Sequence, residues 1–228
     1  MKNYYIFYHV YLFGNWKEII IDQMNTLQDS GLLEVSKVKV GIVYYSETDK
    51  EIENCKRILE SYKNIEIIYV RHTSACGESD TLEELYKFSQ DSSENLKILY
   101  LHTKGVTHYK SEREENVKNW RKLMEYFLIE NWKTCVEKLD EGYDCCGVNY
   151  QGHAANIKNE MVAIKIFNGN FFWANSEYIN KLDNSILWEH RYSSENWILS
   201  SPHNAFIPFS PPPAFDFYHN TLNDYKNT

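Results

Sequence analysis

The chain has 228 residues, of which 43% are hydrophobic and 25% charged, a composition too apolar for a disordered protein. Its length suits one large domain, so we predict a single domain over residues 1–228 whose last part, residues 200–228, is an extended proline-rich tail. The formal net charge of −8 argues against a nucleic-acid-binding protein with a basic face.

Strand-like and helix-like segments alternate through the first two thirds of the chain. Short apolar, β-branched or aromatic runs predict strands at Tyr4–Val10, Lys37–Tyr45, Ile65–Val70 and Lys97–Leu101. Apolar residues at helical spacing predict helices at Asn15–Ser30, Thr48–Tyr62, Thr81–Gln90 and Glu112–Leu139. Thr81 and Glu84 have the spacing of a capping box, which predicts that the third helix begins there.

The last third is less regular. Asp144–Tyr150 and Met161–Phe167 predict strands joined by a polar loop. Further short elements are predicted at Gly169–Ala174, from Asn175–Ser176 onward, and at Ser193–Leu199.

This alternation predicts an α/β fold with a single doubly wound, mostly parallel sheet flanked by helices. In such a sheet the ligand crevice lies beyond the carboxyl ends of the strands. The residues at these ends are therefore candidate binding residues, namely His9, Val10, Tyr11, Tyr45, Arg71, His102, Thr103 and Lys104.

The fourth strand leads into His102-Thr103-Lys104-Gly105, which brings together a cation, a hydroxyl and a glycine. This combination suits an anionic group such as a diphosphate, although a solvated turn with a chance lysine fits equally well. The glycine-rich motifs of dinucleotide-binding and P-loop proteins are absent, as are the nucleophile elbow of α/β-hydrolases and histidine spacings typical of metal sites.

Three further segments have both a structural and a functional interpretation. Glu78 and Asp80 could ligate a divalent cation, but acids are also common at helix N-termini. Glu195 could be a general base or a residue that complements a helix dipole. Gly169 and Asn170 beside clustered rings such as Trp173 could bind a sugar or form a bulged aromatic strand.

The chain shows no targeting or membrane-spanning signal. It lacks a charged segment followed by a long apolar run and a cleavage site, and no apolar run approaches the ~20 residues that span a bilayer. The five cysteines are odd in number and have no C-x-x-C spacing, which favours reduced thiols over disulfides or structural zinc. We therefore predict a cytoplasmic protein without a membrane span.

Several segments, taken together and in order, resemble one family. They are Phe7-Tyr8-His9-Val10 with Trp16, Ser30-Gly31-Leu32, Glu78 with Thr81-Leu82, Leu99–Gly105, Asn119-Trp120-Arg121 with Met124–Phe127, Gly147-Val148-Asn149, Gly169–Ala174 and Glu195-Asn196-Trp197. This pattern, between about Tyr4 and Leu199, resembles small GT-A-fold glycosyltransferases of viral and bacterial polysaccharide pathways, related to rhamnan-synthesis enzymes.

The resemblance implies a nucleotide-sugar donor, with UDP as the favoured nucleotide, and a glycan or glycoconjugate acceptor. By position, His9, Val10, Tyr11, Tyr45 and Arg71 would border the base and ribose. The His102-Thr103-Lys104 turn stands where the fold usually carries an Asp-x-Asp metal motif, and it contains no carboxylate. Either Lys104 neutralises the diphosphate without a metal, or Mn²⁺ or Mg²⁺ is held by Glu78, Asp80 and His219.

The same resemblance implies an inverting transfer with Glu195 as the catalytic base. Gly169, Asn170 and Trp173 would shape the donor-sugar and acceptor site, and His153 with the loop from Gln151 to Glu160 would close over the substrates. Other glycosyltransferase domains are expected partners. A non-catalytic nucleotide-sugar- or glycan-binding domain is the main alternative, and a nucleotidyltransferase lacks the expected glycine-rich triphosphate loop.

Overall fold

The computed structural model describes residues 4–73, 77–157, 160–189, 192–210 and 217. The four strands predicted in the first part of the chain are present as β1 (Tyr4–Leu12), β2 (Ser36–Tyr44), β3 (Ile65–His72) and β4 (Lys97–His102). The helices between and after them are α1 (Trp16–Asp29), α2 (Asp49–Glu60), α3 (Glu78–Gln90), α4 (Glu114–Glu125) and α5 (Trp132–Asp140).

The elements of the second part are shorter. The strands are β5 (Cys145–Gly147), β6 (Tyr150–Ile157), β7 (Glu160–Phe167), β8 (Phe172–Asn175) and β9 (Ala205–Phe206). The helices are α6 (Ser176–Ile179) and α7 (Ser193–Trp197).

Seven strands form one sheet in the order β3-β2-β1-β4-β8-β5-β9. Strands β1 to β4 are parallel to one another, and β8 is antiparallel to both of its neighbours. The predicted α/β fold with a mostly parallel sheet is therefore confirmed. The prediction of one domain over residues 1–228 stays a prediction.

Helices cover both faces of the sheet, because the strand residues alternate between two apolar cores. On β1, Ile6, Tyr8 and Val10 pack in the core under α1, α2, α4 and α5, whereas Phe7 packs in the core under α3 and α6. The same alternation on β4 places Leu99 in the first core and Tyr100 in the second. His102, the last residue of β4, lies two positions after Tyr100 and therefore on the same face of the strand.

Two predicted boundaries are wrong. Helix α3 begins at Glu78, three residues before the predicted cap, since Gly77 adopts a positive φ of 65° and precedes it. Thr81 is instead buried inside the first turns of the helix. The predicted helix over Glu112–Leu139 is divided by a π-helical turn at Tyr126–Glu130, where Asn131 donates both its backbone N–H and its side-chain amide to the Tyr126 carbonyl.

The predicted loop from Gln151 to Glu160 is also wrong. Residues 151–157 belong to β6, which pairs with β7 in an antiparallel two-stranded ribbon apart from the main sheet, and residues 158 and 159 lie outside the described residues. The register runs from Tyr150 opposite Phe167 to Ile157 opposite Glu160. A ribbon buried on at most one face needs few apolar residues, so its polar composition resembles that of a loop.

Four of the five cysteines can be described, whereas Cys76 lies outside the described residues. Cys55, Cys135, Cys145 and Cys146 are free and buried. None of the helices within the described ranges combines the length and the apolar character needed to cross a membrane.

Candidate functional site

A cavity of about 490 Å³ lies at the carboxyl ends of β1 and β4. Strands β2 and β3 lie on one side of β1 in the sheet, and β4 lies on the other side. The connections after β1 and β4 therefore diverge, which opens a crevice at this point of a parallel sheet. His9 and His102 are opposite each other in the strand register and both line the cavity.

The turn after β4 forms one wall of the cavity and is held firmly. The backbone N–H of Thr103 donates to the His9 carbonyl at 3.0 Å, and the buried Thr103 hydroxyl accepts from the Tyr11 N–H at 2.9 Å. Gly105 ends the turn with a φ of 107°, a conformation that a side chain would strain. The turn thus presents Lys104 from a rigid backbone.

Two residues of helix α4, Trp120 and Arg121, contact Lys104. Arg121 donates from Nη1 to the Lys104 carbonyl at 3.1 Å, and its guanidinium is itself buried and paired with Asp22 and Glu125. The Lys104 ammonium lies 3.8 Å from the centre of the Trp120 ring, as in a cation–π contact. The cation therefore has a defined place beside the cavity.

Glu195 lies in the same cavity as Lys104. It is carried by α7, a short helix of which Ser193 and Trp197 are buried. Burial lowers the pKa of Lys104, and the negative charges of Glu195 and Glu78 partly oppose this effect. Lys104 and Glu195, a cation and a carboxylate 91 positions apart in the sequence, thus line the same cavity.

A second carboxylate, Glu78, lies at the floor of the cavity. Its Oε2 accepts from Asn170 Nδ2 at 2.8 Å and from the Tyr100 hydroxyl at 3.3 Å, and its Oε1 is 3.9 Å from His102 Nδ1. Burial raises the pKa of Glu78, but the positive charges that His102 and His9 carry when protonated at acid pH, the Asn170 hydrogen bond and Lys104 outweigh burial and hold the pKa below its usual value. Glu78 is therefore a negative charge at neutral pH.

The turn before β8 supplies the remaining floor. His102 Nε2 donates to the Gly169 carbonyl at 3.0 Å. Gly169 has a φ of 105°, and a Cβ there would lie 2.4 Å from the Met124 sulfur. Asn170 follows with a φ of 56°, which asparagine tolerates better than most residues. Only this tight turn brings the buried Asn170 side chain to Glu78.

The end of β1 lines the cavity through His9 and Tyr11. His9 is buried, and its Nδ1 lies 2.8 Å from the Thr81 hydroxyl, which also contacts the Tyr69 hydroxyl. Tyr11 is half-buried, with its ring stacked on Phe13 at 5.7 Å. Both residues thus line the cavity on the β1 side of the crevice.

Four predicted binding residues lie elsewhere. Val10 and Trp173 are fully buried in the first core, and Trp173 donates its indole N–H to the Leu128 carbonyl at 2.7 Å. Tyr45 is exposed at the end of β2, and Arg71, near the end of β3, pairs with Asp80. None of these four residues lines the 490 Å³ cavity. Val10 and Trp173 point into the first core, and Tyr45 and Arg71 follow β2 and β3, which lie on the far side of β1 from β4.

The candidate metal ligands do not converge either. Glu78 faces His102 and Asn170, whereas Asp80 faces Arg71. His219 lies outside the described residues. Within those that are described, no three His, Cys, Asp or Glu side chains form a group that could hold a metal ion. Glu78 already accepts two hydrogen bonds, and among the described residues Asp80 does not join it, so the metal site stays a prediction.

Several lining residues were not expected from the sequence. Ile166 lies opposite Gln151 in the β6–β7 ribbon, and both line the cavity; Gln151 belongs to the segment expected to close over the substrates, a role that stays a prediction. His153 lies in β6. Trp120 belongs to the segment that carries the family resemblance, which was the one signal that could have identified it.

Comparisons with known proteins identify a family and a general fold likeness. A family model described as a domain of unknown function, DUF8361, matches residues 7–189. A search of curated protein sequences found no significant match.

Two solved structures have a distant likeness to this chain. A protein provisionally assigned as a nucleotide-diphospho-sugar transferase from Desulfovibrio desulfuricans G20 is 8% identical, over 92% of this chain and 81% of that one, with a TM-score of 0.46. TarS 1–349 of S. aureus is 10% identical, over 92% of this chain and 60% of that one, with a TM-score of 0.41. At these TM-scores neither likeness carries an argument about function.

Proposed function

The chain belongs to the DUF8361 family, and we propose that it is a glycosyltransferase that moves a sugar from a nucleotide-sugar donor, with a UDP-sugar favoured, to a hydroxyl group of a glycan or glycoconjugate. The observation that carries this proposal is that Lys104 and Glu195 line one cavity at the crevice between β1 and β4. The sequence resemblance to GT-A-fold glycosyltransferases supports it independently.

In the proposed reaction Lys104 binds the diphosphate of the donor. Its ammonium is a cation in a partly dehydrated chamber, where a charge-assisted hydrogen bond to phosphate is strong. His9 and Tyr11, at the end of β1, border the nucleoside part of the donor. The nucleotide thus lies along the crevice with its diphosphate at the turn after β4.

Glu195 acts in this proposal as the general base. Its carboxylate accepts the proton of the acceptor hydroxyl while that oxygen forms a bond to the anomeric carbon of the donor sugar. The bond from the anomeric carbon to the diphosphate breaks, and the nucleoside diphosphate leaves with the electron pair and additional negative charge, which Lys104 stabilises. Displacement on the face opposite the leaving group inverts the anomeric configuration.

A thermal-shift screen tests the donor assignment. The melting temperature of the protein is measured with UDP-, GDP- and dTDP-glucose, each with and without Mn²⁺. We expect one nucleotide series to stabilise the protein, because a ligand that binds the folded state raises its melting temperature. If no nucleotide-sugar shifts the melting temperature, the proposed donor class is wrong.

Release of nucleoside diphosphate separates an enzyme from a binding domain. A glycosyltransferase transfers its sugar to a supplied glycan or slowly to water, so nucleoside diphosphate accumulates. A protein that binds the donor but releases no nucleoside diphosphate with any tested acceptor or with water would be the non-catalytic nucleotide-sugar-binding domain.

A further inference from the structure

Three hydrogen-bond acceptors lie together at the floor of the cavity. Asn170 Oδ1 is buried and has no hydrogen-bond partner among the described residues, and beside it Glu78 Oε1 and His102 Nδ1 are 3.9 Å apart, too far for a hydrogen bond to each other. Asn170 is 1% exposed, so its amide oxygen is buried without a partner. A buried polar atom without a partner costs free energy, which a suitable ligand would recover.

The proton positions follow from the neighbours of each group. A carbonyl oxygen only accepts hydrogen bonds, so His102 Nε2 must carry a proton to donate to Gly169. Burial lowers the pKa of His102, although Glu78 opposes this effect, so the ring is neutral at neutral pH and Nδ1 is an acceptor. The Asn170 amide donates to Glu78, which directs Oδ1 away from that carboxylate.

The acceptors therefore require a ligand that donates hydrogen bonds. An ammonium group would be repelled by Lys104, which lines the same cavity. A divalent cation would need more anionic oxygens than Glu78 Oε1 offers, as described above. Hydroxyl groups satisfy the arrangement without added charge, because each can donate to one acceptor.

From this geometry we propose that Glu78, His102 and Asn170 form the subsite that binds the hydroxyl groups of the donor's sugar ring. This inference rests on the proposed function. Since the sugar is attached directly to the diphosphate, a diphosphate at Lys104 brings the ring beside the three acceptors in the same chamber. Glu78 is then a specificity-determining residue for the sugar and not a ligand of a metal ion.

The test compares each nucleoside diphosphate with its glucose conjugate by calorimetry. The ligand pairs are UDP and UDP-glucose, GDP and GDP-glucose, and dTDP and dTDP-glucose. The proteins are wild type, Glu78→Gln and the matched control Glu84→Gln, which changes a carboxylate on the outer side of the same helix that pairs with Lys87. All measurements are made on the full chain.

We expect Glu78→Gln to bind the glucose conjugate at least about tenfold more weakly, as for loss of a hydrogen bond to a charged group. The same variant should bind the nucleoside diphosphate as well as wild type or more tightly, because a negative charge near Lys104 has been removed. Retained binding of the nucleoside diphosphate also shows that the variant is folded. Glu84→Gln should leave both affinities unchanged.

A series of deoxy donors gives a second measurement that does not depend on a variant. Donors that lack the 2-, 3-, 4- or 6-hydroxyl of glucose are titrated into wild type, and at least one should bind about tenfold more weakly than the parent donor. In Glu78→Gln the same deoxy donor and its parent should bind about equally, because the partner of that hydroxyl is gone.

The outcomes separate the two proposals. If Glu78→Gln loses affinity equally for nucleoside diphosphate and glucose conjugate, or if every deoxy donor binds wild type as the parent does, the subsite is wrong while the glycosyltransferase proposal stands. If none of the six ligands binds wild type, both the proposed function and the sugar subsite are wrong.

Discussion

The Lys104 ammonium lies 3.8 Å from the centre of the Trp120 ring. The next residue of α4, Arg121, donates to the Lys104 carbonyl, so adjacent residues of one helix hold the side chain and the backbone of this lysine. An aromatic ring stabilises a cation without neutralising it. The charge of Lys104 therefore stays available for an anionic ligand.

Lys104→Met should weaken diphosphate binding selectively. Loss of a charge-assisted hydrogen bond of about 1.5–3 kcal/mol predicts a decrease of roughly 10- to 100-fold in the affinity for UDP, whereas uridine should bind as it does to wild type. Calorimetry with both ligands measures the difference. The control is Lys118→Met, which changes an exposed lysine of helix α4. Equal losses for UDP and uridine would contradict a phosphate contact.

Gly169→Ala should destabilise the protein more than Gly142→Ala. Both glycines have a similar positive φ, 105° and 102°, but a Cβ at Gly169 would lie 2.4 Å from the Met124 sulfur and a Cβ at Gly142 would contact nothing within 4 Å. We expect about 1 kcal/mol from backbone strain in Gly142→Ala, and a further 1–3 kcal/mol, roughly, from overpacking in Gly169→Ala. Urea unfolding measures both. Equal losses would show that the Gly169 turn is not tightly packed.

Thr81→Val should destabilise the protein by about 1–3 kcal/mol, because the buried His9 and the half-buried Tyr69 both lose their contact with the Thr81 hydroxyl while the side-chain volume is kept. Ser89→Ala is the control. Ser89 is buried in the same helix and donates to the Leu85 carbonyl, which retains its helical hydrogen bond in the variant. Urea unfolding at neutral pH compares the two, and a smaller loss in Thr81→Val would contradict the hydrogen-bonded arrangement at His9.

The stability difference between wild type and Glu78→Gln should depend on pH. The pKa of Glu78 lies below its usual value in the folded state, so ionised Glu78 adds stability that is complete above the unfolded pKa of about 4.3. This contribution is lost as the pH falls through the lower folded pKa. Urea unfolding between about pH 6 and pH 3 should show the wild type losing stability faster than the variant on the acid side. Parallel curves would mean that the folded pKa of Glu78 is not lowered.

The sheet was predictable because its signals are local. Continuous apolar runs identified β1 to β4, and helical periodicity identified the helices between them. The side of each strand was harder to predict, because residues alternate between faces: Val10 and Trp173 stand beside site residues in the sequence but point into the first core. Tyr45 and Arg71 were expected at the crevice but do not line the cavity. Local patterns do not encode strand order, and the order of this sheet puts β2 and β3 away from the crevice.

The floor of the site was not predictable for a related reason. Glu78 and Asn170 are 92 positions apart and meet only because α3 begins at Gly77 and a glycine turn precedes β8. The capping-box pattern predicted a later start for α3, which would leave Glu78 in a loop. By contrast, His102-Thr103-Lys104 and Glu195 were both predicted, and the structure brings them into one cavity.

The most direct measurement of the central claim is the rate of nucleoside diphosphate release from a bound nucleotide-sugar by Glu195→Gln. Loss of a general base predicts a decrease in turnover of about 10²- to 10⁴-fold, while the donor dissociation constant stays within about twofold of wild type. The control is Glu177→Gln, which changes an exposed carboxylate of α6 and should leave both quantities unchanged. Wild-type turnover in Glu195→Gln would contradict the assignment of Glu195 as the base that acts opposite Lys104.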